Sequence, residues 1–517
     1  MNLIDFFDRG VDSYPERTAL IFEERRWTYR ELNELATRAA HGLRSLGVER
    51  ETKCAVLSRN DPMAMVVLLG ILKARGAWTP LHTADGDERI LEMVQLFDVE
   101  VLFYQKEFER IVQLVRETNP AVKEFICIDG KSASAYDLAA WLETQPVDRI
   151  VLPWDPDAVC MLRGTGGTTG RPKGVMNTNR NFETAIANYR ANLRFEDAPI
   201  FLATAPLSHA AGILALVVIA FAGTTVIQRK FDVREVMRGI GRHRASMLYL
   251  PPTAIYMLLS QPDVREHDYS SLKYFIYGAA PTSSAKLREA IEVFGPVMTQ
   301  GYGQTEVPSS VTFMSPSDHF RADGSINEER LLSCGRQSPF VRVELMDDDG
   351  NIVPPGETGE IVVRGGLVMK GYYKNPEATE ESFRYEWHHT GDIAYQDADG
   401  FIYICDRKKD MIITGGFNVY PLEVEQVIMS HASVQDCAVI GVPDERWGES
   451  IKAVVEVKLG MVVTDDELIA LCKERIGSVK APKSIEFVTS LPRSAVGKVM
   501  RSEVRKGYWD GQKRMVS

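Results

Sequence analysis

Apolar residues in the first hundred positions follow a helical spacing in some segments and a strand-like spacing in others. A capping box at 28–31 precedes leucines and alanines that recur at helical spacing as far as Gly47. Short β-rich runs at 54–57 and 78–81 flank a helical pattern at 62–75. The pattern predicts a helix followed by a strand, a helix and a strand.

The alternation continues further along the chain. Apolar β-rich runs at 99–104 and 124–128 are separated by helical patterns, which favours a mostly parallel sheet with helices on both faces. We therefore predict an α/β fold in which a large N-terminal domain, residues 1–405, contains mostly parallel sheets and packed helices.

After about Cys405 the elements become smaller in scale. Helical patterns alternate with short strand patterns, as expected of a compact α+β domain over 406–517. The predicted elements are a helix at 421–431, strands at 436–441 and 452–457, and a helix at 465–476.

Composition narrows the function classes. A chain of 517 residues with a net charge of −11 favours an ordinary globular protein of two or more domains and argues against a nucleic-acid partner. The seven cysteines form no Cys-x-x-Cys pair, and no export signal is apparent, so we expect a cytoplasmic location. The longest uncharged apolar stretch, 210–223, is too short to span a membrane and predicts a buried core element.

A glycine- and threonine-rich loop follows the strand-like run 158–162. Backbone N–H groups, threonine hydroxyls and a lysine suit a triphosphate, and together they make a flexible surface turn the weaker interpretation. Pro172 before the lysine and Gly174 after it exclude a Walker A loop. The candidate phosphate-binding residues are Thr165, Gly166, Gly167, Thr168, Thr169, Gly170 and Lys173.

This loop resembles the Thr-Ser-Gly-Thr-Thr-Gly-x-Pro-Lys-Gly signature of the adenylate-forming superfamily, which includes acyl-CoA synthetases, peptide-synthetase adenylation domains and luciferases. Gly166 replaces the signature serine, so no side-chain phosphate contact is carried over there. Similar motifs recur in the family's order along nearly the whole chain. The resemblance implies ATP as a substrate and a small C-terminal domain that is mobile.

Four further motifs resemble the family's nucleotide contacts. The turn containing Gly278, Ala279 and Ala280 corresponds to the one along the adenine, and Asp392 and Arg407 correspond to the residues that bind the ribose. The segment 301–306 resembles the motif at the α-phosphate and metal. Its candidate nucleotide-binding residues are Gly301, Tyr302, Gly303 and Gln304, and its candidate catalytic and Mg²⁺-binding residues are Thr305 and Glu306.

The C-terminal motifs resemble those that carry catalysis and domain rotation. Lys409 matches the hinge position, and Gly415 and Gly416 match the loop that admits coenzyme A. Lys498 matches the adenylation lysine, which stabilises charge on the α-phosphate. Lys498 is therefore the principal catalytic candidate.

The segment 205–213 resembles the part of the family fold beside the acyl pocket. Its substrate-binding candidates are His209, Ala210 and Gly212, joined by Tyr277, which precedes the adenine turn. Ser208 stands where relatives often have an aromatic residue, so a core position for His209 stays open and a catalytic role is not expected. Because no acid occurs between 198 and 222, an uncharged acyl tail, fatty, aryl or alicyclic, is expected.

The sequence thus predicts an acyl-CoA synthetase that uses ATP, Mg²⁺, coenzyme A and a small carboxylic acid. Only about 20 residues follow Lys498, too few for a fused carrier domain, so the acceptor is expected to be free. A ligase that delivers to a separate acyl carrier protein and a luciferase-like oxidoreductase are the alternatives. A monomer and a homodimer both stay open.

Overall fold

The computed structural model describes residues 1–165, 172–493 and 498–509. Its α-helices are α1 (Asp5–Ser13), α2 (Tyr29–Ser45), α3 (Pro62–Lys73), α4 (Asp87–Leu96), α5 (Glu109–Thr118), α6 (Leu138–Glu143), α7 (Asn179–Asn192), α8 (Ala210–Ala220), α9 (Val233–His243), α10 (Pro252–Leu259), α11 (Ser284–Phe294), α12 (Pro376–Ser382), α13 (Pro421–Met429), α14 (Asp465–Lys480) and α15 (Arg501–Lys506).

Its strands are β1 (Thr18–Phe22), β2 (Arg25–Thr28), β3 (Lys53–Leu57), β4 (Ala77–Leu81), β5 (Val101–Tyr104), β6 (Glu124–Cys127), β7 (Tyr136–Asp137), β8 (Val159–Gly164), β9 (Gly174–Thr178), β10 (Ile200–Ala203), β11 (Thr224–Ile227), β12 (Met247–Leu250), β13 (Tyr274–Gly278), β14 (Met298–Tyr302), β15 (Thr312–Met314), β16 (Arg336–Gln337), β17 (Arg342–Met346), β18 (Thr358–Arg364), β19 (Gly371–Tyr372), β20 (His388–Gln396), β21 (Ile402–Arg407), β22 (Ile412–Thr414), β23 (Phe417–Val419), β24 (Val434–Asp444), β25 (Gly448–Val457) and β26 (Ser484–Val488).

Local sequence accounts for several of these boundaries. Thr28 caps α2 through the expected reciprocal box, in which the hydroxyl accepts from the backbone of Glu31 and the Glu31 carboxylate accepts from the backbone of Thr28. Asp61 caps α3, and Pro62 occupies its first turn, where a missing N–H costs nothing. The predicted order of helix, strand, helix and strand is confirmed.

Two large sheets form most of the N-terminal part. One has the order β19-β9-β8-β4-β3-β5-β6-β7 and the other β16-β15-β14-β13-β12-β10-β11-β1-β2. The inner strands of both are parallel, and antiparallel pairing is confined to their edges, which confirms the α/β prediction.

A third sheet, β17-β18-β20-β21, is antiparallel throughout and was not predicted from the apolar pattern. The small C-terminal domain contains a fourth sheet in the order β23-β22-β25-β24, with β26 parallel to β25. Helices α13 and α14 pack against that sheet, as expected of an α+β unit.

The core lies chiefly between the two large sheets. Every residue of α8 after Ala210 is buried there, as the uncharged stretch predicted. No helix among the described residues has both the length and the apolar character that crossing a bilayer requires.

The parallel strands of both sheets place several loops at one edge. The strands β4 and β8 are neighbours in one sheet, and β13 and β14 are neighbours in the other. Ligands of open α/β sheets bind outside the carboxyl ends of such strands. The segments that follow these strands contain many of the residues singled out from the sequence.

Candidate active site

One backbone hydrogen bond and one side-chain hydrogen bond hold the base of the phosphate-loop candidate. The N–H of Thr165 donates to the carbonyl of Lys173 over 3.0 Å, and the guanidinium of Arg89 donates to the carbonyl of Thr165 over 3.0 Å. Lys173 is exposed, and its ammonium lies 4.9 Å from the ring centroid of Tyr372. Gly166, Gly167, Thr168, Thr169 and Gly170 lie outside the described residues.

Tyr372 also contacts the predicted metal ligand. Its hydroxyl donates to Oε1 of Glu306 over 2.9 Å, so one tyrosine brings the charges of Lys173 and Glu306 to the same place. Burial and the Glu306 carboxylate raise the pKa of Tyr372, which keeps its proton available to that carboxylate. The preceding residue, Thr305, is fixed through its carbonyl, which accepts from Asn177 over 3.1 Å.

The Glu306 environment suits Mg²⁺ better than a metal bound entirely by side chains. Within residues 1–165, 172–493 and 498–509, no three histidines, cysteines or acids come together in a way that could hold an ion. Mg²⁺ usually keeps several waters and takes one or two carboxylates plus substrate phosphates. A single carboxylate beside a phosphate-loop lysine therefore fits this ion.

The predicted adenine turn leaves strand β13 where it runs beside β14. Gly278 faces Gly301, and a Cβ on Gly278 would lie 2.4 Å from the Gly301 carbonyl oxygen, so only glycine allows this approach. Ala279 has φ +67° and is exposed, while Ala280 is half-buried. Gly303 packs equally closely on Ser309, where a Cβ would lie 2.6 Å from the backbone nitrogen.

Asp392 lies at the centre of a hydrogen-bonded group. Its Oδ2 accepts from the hydroxyl of Tyr302 and from Nε2 of Gln304, each over 2.6 Å, and its Oδ1 lies 3.1 Å from Nε of Arg407. Asp392 is buried, and its charge is the largest cause of the raised pKa of Arg407. The structure therefore brings together four residues that the sequence placed at the nucleotide.

Lys498 comes to this same group from the small domain. Its pKa is lowered to about 8, first by burial and then by the positive charge of Arg407, while the charge of Asp392 opposes the shift. The side chain is exposed as a whole, and the protein around its ammonium weakens the solvation of the charge, which lowers the pKa but leaves the ammonium charged at neutral pH. Lys498 thus lies at the Asp392–Arg407 end of the cleft.

Of the remaining C-terminal candidates, Lys409 lies close to the Asp392–Arg407 pair, and the two glycines lie apart from it. Lys409 is in a 3₁₀ turn, Lys408–Asp410, where burial lowers its pKa. Gly415 and Gly416, with φ +57° and +81°, form the exposed turn between β22 and β23, and the N–H of Gly415 donates to the carbonyl of Trp447 over 2.9 Å. In this arrangement Lys498 faces the nucleotide residues, and the glycine turn faces solvent.

The substrate candidates divide into two pairs. His209 and Ala210 are half-buried, and the ring of His209 stacks on that of His82 with centroids 3.5 Å apart. Gly212 is buried in α8, where a Cβ would lie 1.9 Å from the carbonyl oxygen of Leu207. Tyr277 is also fully buried.

The Tyr277 hydroxyl pairs with Nε2 of His319 over 3.0 Å. Burial lowers the pKa of His82 to about 3 and that of His209 to about 2, and the charge of Arg163 adds to both shifts. Both rings are therefore neutral at physiological pH. The structure therefore places His209 against a second neutral ring, and its expected lack of a catalytic role stays a prediction.

Sequence reasoning missed Arg163, His82, Tyr372 and Arg501. Arg163 had a signal, since it is a charged residue at the carboxyl end of an otherwise apolar parallel strand. Tyr372 and Arg501 had none, because their partners are distant in the sequence, 66 residues away for the Tyr372–Glu306 bond.

The sequence matches two family models. The model described as AMP-binding enzyme matches residues 7–373, and the model described as AMP-binding enzyme C-terminal domain matches residues 423–498. The second match ends at the lysine that lies beside Asp392 and Arg407.

Characterised proteins align with nearly the whole chain. The medium/long-chain-fatty-acid–CoA ligase FadD8 of Mycobacterium tuberculosis is 36% identical, with 98% of this chain and 90% of that protein aligned. The feruloyl-CoA synthase of an Amycolatopsis species is also 36% identical over 97% of this chain and 99% of its own. The solved structure of the amide bond synthetase McbA from Marinactinospora thermotolerans superimposes with a TM-score of 0.89 at 28% identity, covering 98% and 100% of the two chains.

Proposed function

This chain belongs to the AMP-binding enzyme family and is an AMP-forming acyl-CoA synthetase, and we propose that it activates an acid with an uncharged, largely apolar tail. The observation that supports the proposed site is a convergence of charges. The Lys498 ammonium, the Asp392–Arg407 pair, and Glu306 and Lys173, which each contact Tyr372, surround one cleft between the two domains. A magnesium triphosphate with its ribose matches that distribution of charge.

In the first half-reaction a carboxylate oxygen attacks the α-phosphorus of ATP, and the bond to pyrophosphate breaks. Lys498 stabilises the negative charge that develops on the phosphoryl oxygens. Asp392 accepts hydrogen bonds from the ribose hydroxyls, and Arg407 holds the carboxylate of Asp392 in position. Bound Mg²⁺, held by Glu306 with Thr305, would neutralise the triphosphate.

In the second half-reaction the coenzyme A thiolate attacks the carbonyl carbon of the acyl-adenylate, and AMP leaves. We propose that the domain beginning at 406 rotates about Lys409, which withdraws Lys498 and turns Gly415 and Gly416 toward the cleft. Support comes from the end of β21 at Arg407, after which the chain makes only a short 3₁₀ turn before β22. The same cleft would thus serve both half-reactions.

Replacing Glu306 with glutamine should raise the Mg²⁺ concentration needed for half-maximal adenylation. We expect the affinity for Mg²⁺ to fall by at least about 10- to 100-fold. Removing even an outer-sphere partner from a metal site causes a loss of about that size. Pyrophosphate exchange titrated with Mg²⁺ measures the change. Glu377→Gln, at an exposed position of α12, is the matched control. Unaltered Mg²⁺ dependence in Glu306→Gln would remove this residue from the metal site.

Adenylation should weaken as the pH rises through about 8, the pKa of Lys498. The pKa is lowered from its usual value, so the charged ammonium that stabilises the phosphoryl oxygens is present below that pH and lost above it. The pH profile of kcat/KM for ATP in the adenylation half-reaction reports the free enzyme. Lys498→Arg should move the alkaline limb to higher pH, since an arginine stays charged. An unmoved limb would assign the titration to another group.

Pyrophosphate and AMP release tests the function directly. Release is measured with fatty, aryl and alicyclic acids, each with and without coenzyme A. AMP release that depends on the thiol supports the proposal and identifies the tail. If only a separate acyl carrier protein, and not coenzyme A, accepts the acyl group and releases AMP, the result would favour a carrier-protein ligase. Acid-dependent oxygen uptake would favour the luciferase-like alternative.

We also propose a cytoplasmic location and a homodimeric assembly. The seven cysteines are all free and six of them are buried, which suits a reducing compartment. Two-fold dimers are the commonest assembly among soluble oligomers. Analytical ultracentrifugation at several concentrations distinguishes the dimer from a monomer.

A further inference from the structure

Arg163 is a cation inside the cleft that the reaction described above does not use. It is the second-last residue of β8, directly before the phosphate-loop candidate. Side chains alternate along a strand, so Arg163 shares a face with Met161, whereas Leu162 faces the other way. Met161 packs in the cluster between the two large sheets, and Leu162 packs in a separate cluster. The Arg163 side chain therefore enters the space between the sheets.

The charged and aromatic neighbours of Arg163 show where its guanidinium lies between the sheets. Its charge lowers the pKa of His82 and His209 on one side, while Glu306 and Tyr249 act on its own pKa. The guanidinium thus lies between the stacked imidazoles of the acyl side and the carboxylate of the metal side. An acid that reacts with the α-phosphate must place its carboxylate in this region.

Arg163 has no ion pair or side-chain hydrogen bond to another residue of the described chain. Its side chain is half-buried, and burial lowers its pKa to about 10, which still leaves it charged at neutral pH. Arginines inside proteins usually pair with a carboxylate or phosphate because desolvating an unpaired charge is costly. The Nε2 atom of His209 is also buried without a hydrogen bond among the described residues.

We propose that Arg163 binds the carboxylate of the acid substrate, with the His82–His209 stack as the wall that directs that carboxylate toward the α-phosphate. A guanidinium offers a carboxylate two parallel N–H donors, which fixes orientation as well as charge. The neutral imidazoles add no competing charge of their own. The inference rests on the proposed function. It implies that Arg163 contributes to the binding of every acid substrate, whatever its tail.

The test compares acid KM in Arg163→Met and the unmodified enzyme by pyrophosphate exchange with decanoate, ferulate and hexanedioate. Arg163→Met should raise KM for each acid by a similar factor, about 10- to 100-fold, the range for one charge-assisted pair, and leave KM for ATP unchanged. Arg163→Lys should give an intermediate KM, because a lysine keeps the charge but loses the fork. Arg149→Met, which removes an exposed arginine paired with Asp12, is the matched control.

A neutral analogue separates carboxylate binding from damage to the pocket. Decanamide has the tail of decanoate without its charge, so its inhibition constant should be the same in Arg163→Met and the unmodified enzyme. Weaker decanamide inhibition in Arg163→Met would assign Arg163 a packing role and overturn the inference. An unchanged KM for ATP shows that the variant is folded.

Four other outcomes would also overturn it. A raised KM for ATP alone would assign the guanidinium to the nucleotide, and a loss confined to hexanedioate would assign it to the distal carboxylate. Normal exchange with an unchanged acid KM in Arg163→Met would overturn this inference alone. If the unmodified enzyme shows no exchange with any acid, the proposed function fails, and this inference fails with it.

Discussion

Lys498→Ala is expected to lower the rate of acyl-adenylate formation by about 10²- to 10³-fold, the usual effect of removing one preorganised donor to a developing oxyanion. The ammonium lies beside Asp392 and Arg407, where the α-phosphate follows the ribose. Without the Lys498 ammonium, the negative charge that develops on the pentavalent phosphorus loses its stabilising lysine from the small domain. Single-turnover pyrophosphate release measures this step.

The same variant should retain thioester formation from a supplied acyl-adenylate. In the proposed cycle Lys498 has left the cleft by then, and Gly415 and Gly416 face it. Lys473→Ala, at an exposed position of α14, is the control and should leave both half-reactions unchanged. If Lys498→Ala slows both half-reactions equally, domain rotation about Lys409 is wrong.

Arg501→Met is expected to destabilise the small domain by about 3–5 kcal/mol, the effect of removing one partner from a buried ion pair. The guanidinium of Arg501 lies 2.6 Å from Oδ1 of Asp406, also pairs with Glu425, and lies 3.7 Å from Asp410. Asp406 and Glu425 are both buried. Without Arg501 these two carboxylates would remain desolvated and without their principal cation.

Hydrogen exchange of the amides in α13 and β24, followed by mass spectrometry, measures the opening free energy of the small domain. Lys506→Met removes an exposed ion pair with Glu503 on the same helix and should change that free energy by less than about 1 kcal/mol. Equal protection in Arg501→Met and Lys506→Met would contradict the account of Arg501. Because Lys498 lies only three residues before Arg501, Arg501→Met should also slow adenylation.

The two variants are distinguished by what accompanies the loss of activity. Lys498→Ala should lose adenylation with unchanged hydrogen exchange, since truncating an exposed side chain leaves the buried core of the small domain intact. Arg501→Met should lose adenylation together with protection of α13. The first residue acts on the reaction, and the second holds the domain that presents it.

The sequence by itself determined features whose causes lie within a few residues of one another. The capping box of Thr28 and Glu31 specifies where α2 begins, because both hydrogen bonds are local. The uncharged run after His209 predicts a buried core element, which the structure shows to be α8, and motifs read in order along the chain supply the candidates for the nucleotide site. Asp392, Arg407, Glu306 and Lys498 were all named in this way, each from a short motif.

Tertiary structure alone decided which distant residues meet. Ser208 bonds His82 across 126 positions and Tyr302 bonds Asp392 across 90, and sheet order, which no local pattern encodes, brings each pair together. The antiparallel sheet that carries Asp392, the unpaired charge of Arg163 and the buried partners of Arg501 depend on the same long-range pairing. The orientation of the small domain, with Lys498 at the cleft and Gly415 in solvent, also follows from contacts between elements, because domain docking is set by surfaces that exist only after each domain has folded.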